Sequence, residues 1–274
     1  MRAVCRGCMN RCSLEEGQTG MCRARKNTGG AVIPVNYGKI TSMALDPIEK
    51  KPLRRFLPGS VILSVGSFGC NLRCPFCHNA LLVTRLAETP EIPEQEVLDF
   101  LASRRGLLDG VVLTGGEPLL QPDAADFLRK VRELGFAVKL DTNGCDPARL
   151  AEILNQGLVD YVAMDVKNAP ARYAETVGIP GFNPAPVEES IRLLRKSTVD
   201  YEFRTTLVRE LHRPEDLDAI AAWLAGAPRY YLQNFVDSGN LIGRGYHGFT
   251  AEQLQGFAER VRPFFGAVEL RGID

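Results

Sequence analysis

Net charge is the first thing this sequence lacks. Its 274 residues set 33 Lys and Arg against 33 Asp and Glu, so there is no overall field with which to hold a polyanion. No local basic patch of adequate size replaces that field, and binding to nucleic acid is not expected. Apolar runs approaching the ~18 residues of a membrane span are also lacking. Cys and Arg occupy the N-terminus where a signal peptide carries its hydrophobic stretch, so the expected setting is cytoplasmic, with no membrane contact. Internal repeats and low-complexity tracts are missing too. The 45% hydrophobic and 24% charged residues are ordinary globular composition and exclude disorder. A chain this long buries about three-quarters of its unfolded surface, which suits one main domain with a small appendage.

Cysteine is what the chain has in unusual supply, with eight. Cys5, Cys8, Cys12 and Cys22 crowd the first thirty residues, Cys70, Cys74 and Cys77 come later as C-x3-C-x2-C, and Cys145 stands alone as a small hydrophobe. In a reducing compartment clustered thiols read as metal ligands before disulfides. Residues 1–30 have too little hydrophobic periodicity to build a core, so their thiols must order them. Four thiols there make a closed sulfur site for zinc or a second [4Fe-4S] cluster, the alternative being unligated thiols in a flexible tail.

The remainder divides into a connector, 31–60, and a main domain, 61–274. Pro47, Pro52 and Pro58-Gly59 break regular structure in the connector, and Lys50, Lys51, Arg54 and Arg55 form either a docking patch or a solvated face. From Val61 onward short β-branched runs alternate with amphipathic stretches. Strands are predicted over 61–65, 110–114, 137–141, 161–166, 201–208 and 230–235. Helices are predicted over 93–104, 123–134, 147–155, 187–196 and 214–224, then a last helix over 251–261 and a short run over 267–270. Prolines Pro93, Pro147 and Pro214 suit first helical turns. The fold class is α/β, a partial (β/α)6 TIM-like barrel or curved open sheet with the small Cys-rich N-terminal appendage. Such sheets place ligands beyond the C-terminal ends of their strands.

Chemistry-bearing residues sit at those ends. Cys70, Cys74 and Cys77 can hold three irons of a [4Fe-4S] cluster and leave the fourth open to a ligand. A tetrahedral zinc would need a fourth donor, and His78 directly after Cys77 is poorly spaced to supply it. Gly115-Gly116-Glu117 ends the second predicted strand, where glycines permit close backbone approach and Glu117 can meet an ammonium. Asp141-Thr142-Asn143 ends the third. Asp165 and Lys167 flank Val166 at the end of the fourth, on one strand face. Arg204 lies in the fifth, with Glu202 on the same face as a candidate ion-pair partner. His212 and His247 fall in loops, where an exposed imidazole is expected.

The Cys70, Cys74, Cys77 spacing with Phe76 before the last cysteine resembles the signature of the radical S-adenosylmethionine superfamily. That resemblance implies a [4Fe-4S] cluster whose open iron is chelated by S-adenosylmethionine, and a 5'-deoxyadenosyl radical that abstracts hydrogen. It makes Cys70, Cys74, Cys77 and Lys167 the catalytic set, while Phe76, His78, Gly115, Gly116, Glu117, Asp141, Thr142, Asn143, Asp165, Lys167 and Arg204 surround the cofactor. Gln233-Asn234-Phe235 would contact the adenosine. The Asp141 and Asp165 segments and Cys77-His78-Asn79 are similar to the glycyl-radical-enzyme activases, those for pyruvate formate-lyase and anaerobic ribonucleotide reductase, in which the aspartates can hold a monovalent cation. The N-terminal cysteines, with Asn36-Tyr37-Gly38 and Asp46-Pro47, are similar to the AmmeMemoRadiSam-system radical enzymes, which are longer. Many activases carry an eight-cysteine ferredoxin-like insertion that this sequence lacks. The resemblance thus implies an activase acting on a glycine of a glycyl radical enzyme, with flavodoxin or ferredoxin as electron donor. A radical enzyme acting on another protein or a small molecule, and a non-catalytic zinc-binding module, are the alternatives.

Overall fold

Each β-branched run forms a strand in the computed structural model, which describes residues 1–47, 61–84 and 91–273. The chain folds as two compact units, one of Met1–Asn71, Leu81–Thr142 and Ala148–Val162, the other of Leu72–Ala80, Asn143–Pro147 and Ala163–Asp274.

In the first unit strand β1 (Ser42–Pro47) runs antiparallel to β2 (Val61–Ser67), with Met43 opposite Val65. β2 is parallel to β3 (Gly110–Gly115), which is parallel to β4 (Ala137–Thr142). Side chains on both faces are buried, as parallel strands require: Ile62 and Val65, Val111 and Val112, Val138 and Leu140 are all 0–1% exposed. Each such side chain contributes about 1.5–3 kcal/mol by leaving water. Helix α1 (Glu94–Ser103) buries Val97, Leu98 and Leu101, and α2 (Ala124–Glu133) buries Ala124, Phe127, Leu128 and Val131, the spacing of one helical stripe. Helix α3 (Pro147–Asn155) starts on a proline, where the missing N–H is not needed.

The second unit repeats the alternation. β5 (Tyr161–Asp165) enters it at Ala163, and β6 (Asp200–Leu207), β7 (Tyr230–Asn234) and β8 (Val268–Arg271) lie parallel, with Phe203 beside Tyr230 and Tyr230 beside Val268. Helices α4 (Ala185–Lys196), α5 (Pro214–Leu224) and α6 (Ala251–Val261) each bury one face; α5 does so with Leu217, Ile220, Ala221 and Leu224. α6 begins in a capping box. The Thr250 hydroxyl accepts from the Gln253 N–H at 3.2 Å and Gln253 Oε1 accepts from the Thr250 N–H at 3.0 Å.

These elements match the sequence expectation to within a residue or two; short helices at Ala80–Thr84 and Tyr173–Thr176 were not expected, and the other exceptions lie near the N-terminus. Arg25–Thr28 pairs antiparallel with Ala31–Pro34, so the boundary expected at residue 30 falls in the turn of a hairpin. Ser42–Pro47, read as connector because of its proline, is an edge strand; Pro47 ends it, where a missing N–H costs no ladder bond. The Lys50, Lys51, Arg54 and Arg55 run, with Pro52 and Pro58-Gly59, lies outside the described residues.

Candidate active site

In the first unit the turn after β2 is held against the turn after β3 by backbone alone. The Gly116 N–H donates to Ser67 O at 2.9 Å and the Glu117 N–H to Gly69 O at 2.8 Å. A Cβ on Gly116 would stand 2.0 Å from Gly69 O, and Gly115 has φ +114, so the Gly-Gly pair is required by this approach of the chain to itself. Glu117 is thereby fixed at 2% exposure, its Oε1 accepting from the Leu119 N–H at 3.1 Å and from the Thr142 hydroxyl at 2.7 Å. Two of the sequence-predicted residues, Glu117 and Thr142, are thus in contact.

Asp141 has a partner that the sequence reading missed. Lys139, two residues earlier on the same face of β4 and 0% exposed, places Nζ 2.7 Å from Asp141 Oδ1. The Thr114 hydroxyl lies 3.5 Å from Asp141 Oδ2. The signal was available, since a lysine inside an otherwise apolar strand with aspartate two residues away is the mirror of the Asp165 and Lys167 spacing already noted.

In the second unit Cys74 and Cys77 close a tight turn, the Cys77 N–H donating to Cys74 O at 3.0 Å. Burial pushes the Cys74 thiol up to about 12 and raises Cys77, while the nearby Lys167 ammonium opposes both shifts. Thiols held this way are poor nucleophiles and become thiolates only against a metal or cation. Asp165 serves two cations. Its Oδ1 lies 2.9 Å from Arg204 Nε and its Oδ2 3.2 Å from Lys167 Nζ. Burial works to lower the Lys167 pKa, yet Asp165 and Cys74 prevail and raise it, so the ammonium stays charged.

Arg204 therefore pairs with Asp165 on the adjacent strand. Glu202, the partner suggested by sequence, has Oε1 3.8 Å from Arg271 Nη1, and the Arg271 guanidinium stacks 3.4 Å over the Tyr231 ring. An arginine reaches a neighbouring strand, about 4.8 Å away, more readily than two residues along its own. Phe76 meets Phe235 edge-on at 6.4 Å between centroids, and the His78 ring tilts against Phe235 at 5.3 Å. His78 Nε2 is buried without a hydrogen-bond partner among the described residues; burial and Lys167 lower its pKa, so the ring is neutral.

Three further expectations change or hold at this level. His212, expected in solvent, is 2% exposed; its Nδ1 lies 3.1 Å from the Val208 N–H donor and its Nε2 2.8 Å from Lys167 O, an assignment that puts the proton on Nε2. The packing of α5 closes over that loop, which sequence alone did not reveal. His247 is exposed and pairs with Glu210 at 2.8 Å. Asn234 ties a loop down, its side-chain amide donating to the Phe249 carbonyl at 3.0 Å and accepting from the Phe249 N–H at 2.8 Å. Asn143 Oδ1 accepts from the Cys145 N–H at 2.9 Å, and Cys145 is buried as expected.

All eight cysteines are reduced thiols. Among the described residues no three His, Cys, Asp or Glu side chains are drawn around a point where one ion could sit. A cluster bound at three separate irons does not ask that of its ligands, and soft, unoxidised sulfur with Lys167 beside it is the donor chemistry such a cluster takes.

An α/β fold of mostly parallel strands, with three thiols after its first parallel strand and acid–base residues at the strand ends beyond it, defines an oxidoreductase-type enzyme of the partial-barrel class. The profile of the radical SAM superfamily matches residues 64–224, and the chain belongs to that superfamily. A protein of Methanocaldococcus jannaschii named as a glycyl-radical enzyme activating enzyme is 36% identical over 175 residues, 61% of this chain and 70% of that protein. The pyruvate formate-lyase-activating enzyme of Clostridium pasteurianum is 35% identical over 105 residues, 36% of this chain and 43% of that one. Streptococcus suis SuiB bound to S-adenosylmethionine shares the fold at TM-score 0.59 and 17% identity, over 74% of this chain and 48% of that chain. The chain thus spans about half the length of the solved structure. Membership implies a [4Fe-4S] cluster and S-adenosylmethionine, and it sets aside the non-catalytic zinc module. Among the described residues no helix is long and apolar enough to cross a membrane.

Proposed function

We propose that the protein is a glycyl-radical-enzyme activase. Cys70, Cys74 and Cys77 hold the cluster, and S-adenosylmethionine binds against it. The observation that carries the reading is the Asp165 carboxylate shared by Lys167 and Arg204 in the unit that also contains Cys74 and Cys77. Two cationic side chains thus meet at one place on the strand ends, a setting suited to the carboxylate of the methionine moiety. The two relatives named as activating enzymes support it. A bound [4Fe-4S] cluster would supply the one electron for reductive cleavage of S-adenosylmethionine, the chemistry by which hydrogen would be abstracted from a glycine Cα.

The chain's own residues set the stage for that step. Glu117, buried and pinned by Leu119 and Thr142, supplies the negative partner for the ammonium. Gly115 and Gly116 keep its turn close to Gly69. Asp141, Thr142 and Asn143 extend the cofactor contact, and the aspartates can take a monovalent cation. Phe76 and His78, packed on Phe235, form an aromatic wall that excludes water from a reactive radical. The electron donor is flavodoxin or ferredoxin, and zinc or a second [4Fe-4S] cluster is the ligand of Cys5, Cys8, Cys12 and Cys22.

The test begins with anaerobic reconstitution. Paramagnetic resonance should show a [4Fe-4S] centre whose spectrum changes on adding S-adenosylmethionine, and Cys74→Ala should abolish reductant-dependent 5'-deoxyadenosine. Mixing with a glycyl radical enzyme should then generate the glycyl doublet. Persistent 5'-deoxyadenosine formation in Cys74→Ala would overturn the ligand assignment, and turnover with no doublet on any such enzyme would overturn the activase.

A further inference from the structure

Backbone amides around the N-terminal cysteines face sulfur, while burial pushes the Cys8 thiol up to about 11 and raises Cys22 as well. The Gly7 N–H points at Cys5 Sγ, 3.5 Å away. The backbone amides of Asn10 and Ala24 hydrogen-bond in the same way to the sulfurs of Cys8 and Cys22. In all three the donor is the residue two positions after the cysteine. A neutral thiol is a weak acceptor, and amides aimed at sulfur stabilise its anion. Among the described residues two non-glycine residues adopt positive φ, Arg11 at 41° and Arg23 at 63°, and each adjoins a cysteine of this group, Cys12 and Cys22. Backbone in that region persists only where its surroundings over-determine it. Cys8 packs against the buried Cys22 and Ala24, and a cluster, bound at separate irons, does not ask its sulfurs to converge on one point. Residues 1–30 hold six Lys and Arg against Glu15 and Glu16, a local excess that matches the double negative charge of a tetrathiolate centre.

This group is fastened to the loop that carries the first cluster ligand. The Cys70 N–H donates to Cys22 O at 3.2 Å, and Asn10 Nδ2 donates to Asn71 O at 2.8 Å. Asn71 Nδ2 in turn reaches Met9 Sδ at 3.9 Å. Gly69, with φ +93, is so close that a Cβ there would stand 2.8 Å from Ala24 Cβ and 2.9 Å from Cys22 O.

We propose that Cys5, Cys8, Cys12 and Cys22 form a closed metal centre that braces the Cys70 loop, so that loss of metal from the N-terminal thiols costs the enzyme the cluster at Cys70, Cys74 and Cys77. The inference rests on the reading of those four thiols as metal ligands and adds what the metal does. Binding of a preassembled [4Fe-4S] cluster, delivered by a cluster donor, exchanges four thiol protons, released to water, for the cluster; no electron is transferred in that exchange. The closed sulfur set keeps substrate out, and its work is to fix the backbone at Cys22 and Asn10 from which Cys70 and Asn71 are held.

Elemental analysis of the full chain tests the two layers separately. A Cys70→Ala/Cys74→Ala/Cys77→Ala variant, purified under argon, should retain about four irons per chain at the N-terminus. A metal-free product would overturn the centre itself. Asn10→Ala leaves every thiol in place and removes one tie to the loop. It should keep the N-terminal metal while iron at the triad falls about threefold or more, with a matching loss of the resonance change on adding S-adenosylmethionine. Cys12→Ser should lose both clusters, whereas Cys145→Ala should lose neither. Full triad iron in a Cys12→Ser protein stripped of its N-terminal metal would overturn the brace, as would an Asn10→Ala protein indistinguishable from the parent.

Discussion

Two strand ends in this protein carry lysine and aspartate two residues apart, and they are balanced differently. On β4 of the first unit Lys139 pairs with Asp141, with the lysine fully buried. On β5 of the second unit and the residues after it, Asp165 divides its two oxygens between Lys167 and Arg204. A matched buried pair cancels its own charge, and removing either member strands the other in a medium that cannot solvate it. The two places thus differ in burial and in the number of cations around one carboxylate, and under the proposed function the second is the one that would receive an anionic group.

Breaking the matched pair should have the largest effect. Lys139→Met leaves Asp141 buried without its cation and should cost about 3–5 kcal/mol in urea unfolding. Lys139→Met/Asp141→Leu, which removes both charges, should recover most of that loss. If the single variant unfolds at the parent midpoint, the pair carries no such weight. Arg204→Met should behave in the opposite sense. Asp165 still has Lys167, so stability should fall by only about 1.5–3 kcal/mol, the worth of a hydrogen bond to a charged group. Binding of S-adenosylmethionine, followed by calorimetry on the reconstituted enzyme, should weaken by about tenfold, which is 1.4 kcal/mol. A variant that binds normally would show that Arg204 has another use.

Lys139 also marks how far the sequence could be read. Strand and helix positions were legible because burial imposes a period of two or 3.6 on the side chains, and the runs from Val61 to Val261 keep those periods cleanly. Cys70, Glu117, Asp165 and Lys167 were legible because each comes just after a strand that could be located. Partners were less so. Glu202 was matched to Arg204 by proximity along one strand, while its contact with Arg271, 69 residues further on, was not foreseen. Ser42–Pro47 was hidden by its proline, and the Arg25–Thr28 hairpin by a boundary drawn from composition. Each miss concerns a pairing between distant segments, which local periodicity does not encode.

The smallest expected effect concerns what holds Lys167 in place. His212 Nε2 meets the carbonyl of Lys167 at 2.8 Å while Tyr173 Oη accepts from the Lys167 N–H at 3.2 Å, so the backbone beneath the ammonium is clamped from both sides. Burial lowers the His212 pKa from 6.5, outweighing the hydrogen bonds to Lys167 and Val208 and the Asp216 carboxylate, which raise it, while Arg172 adds to the lowering. The native state thus binds fewer protons at His212 than the unfolded chain does. The stabilising contribution is complete above 6.5, the unfolded value, and is lost as pH falls from there toward the depressed native value. Urea midpoints should therefore drop between pH 7.5 and pH 5.5, and His212→Gln, whose amide can still donate to the Lys167 carbonyl, should flatten that part of the decline. The first unit's pair has no histidine in contact, so in the Lys139→Met/Asp141→Leu background the decline should persist. An unchanged slope in His212→Gln would mean that the imidazole already exchanges its proton freely in the native state, and the clamp on Lys167 would then have to be carried by Tyr173 alone.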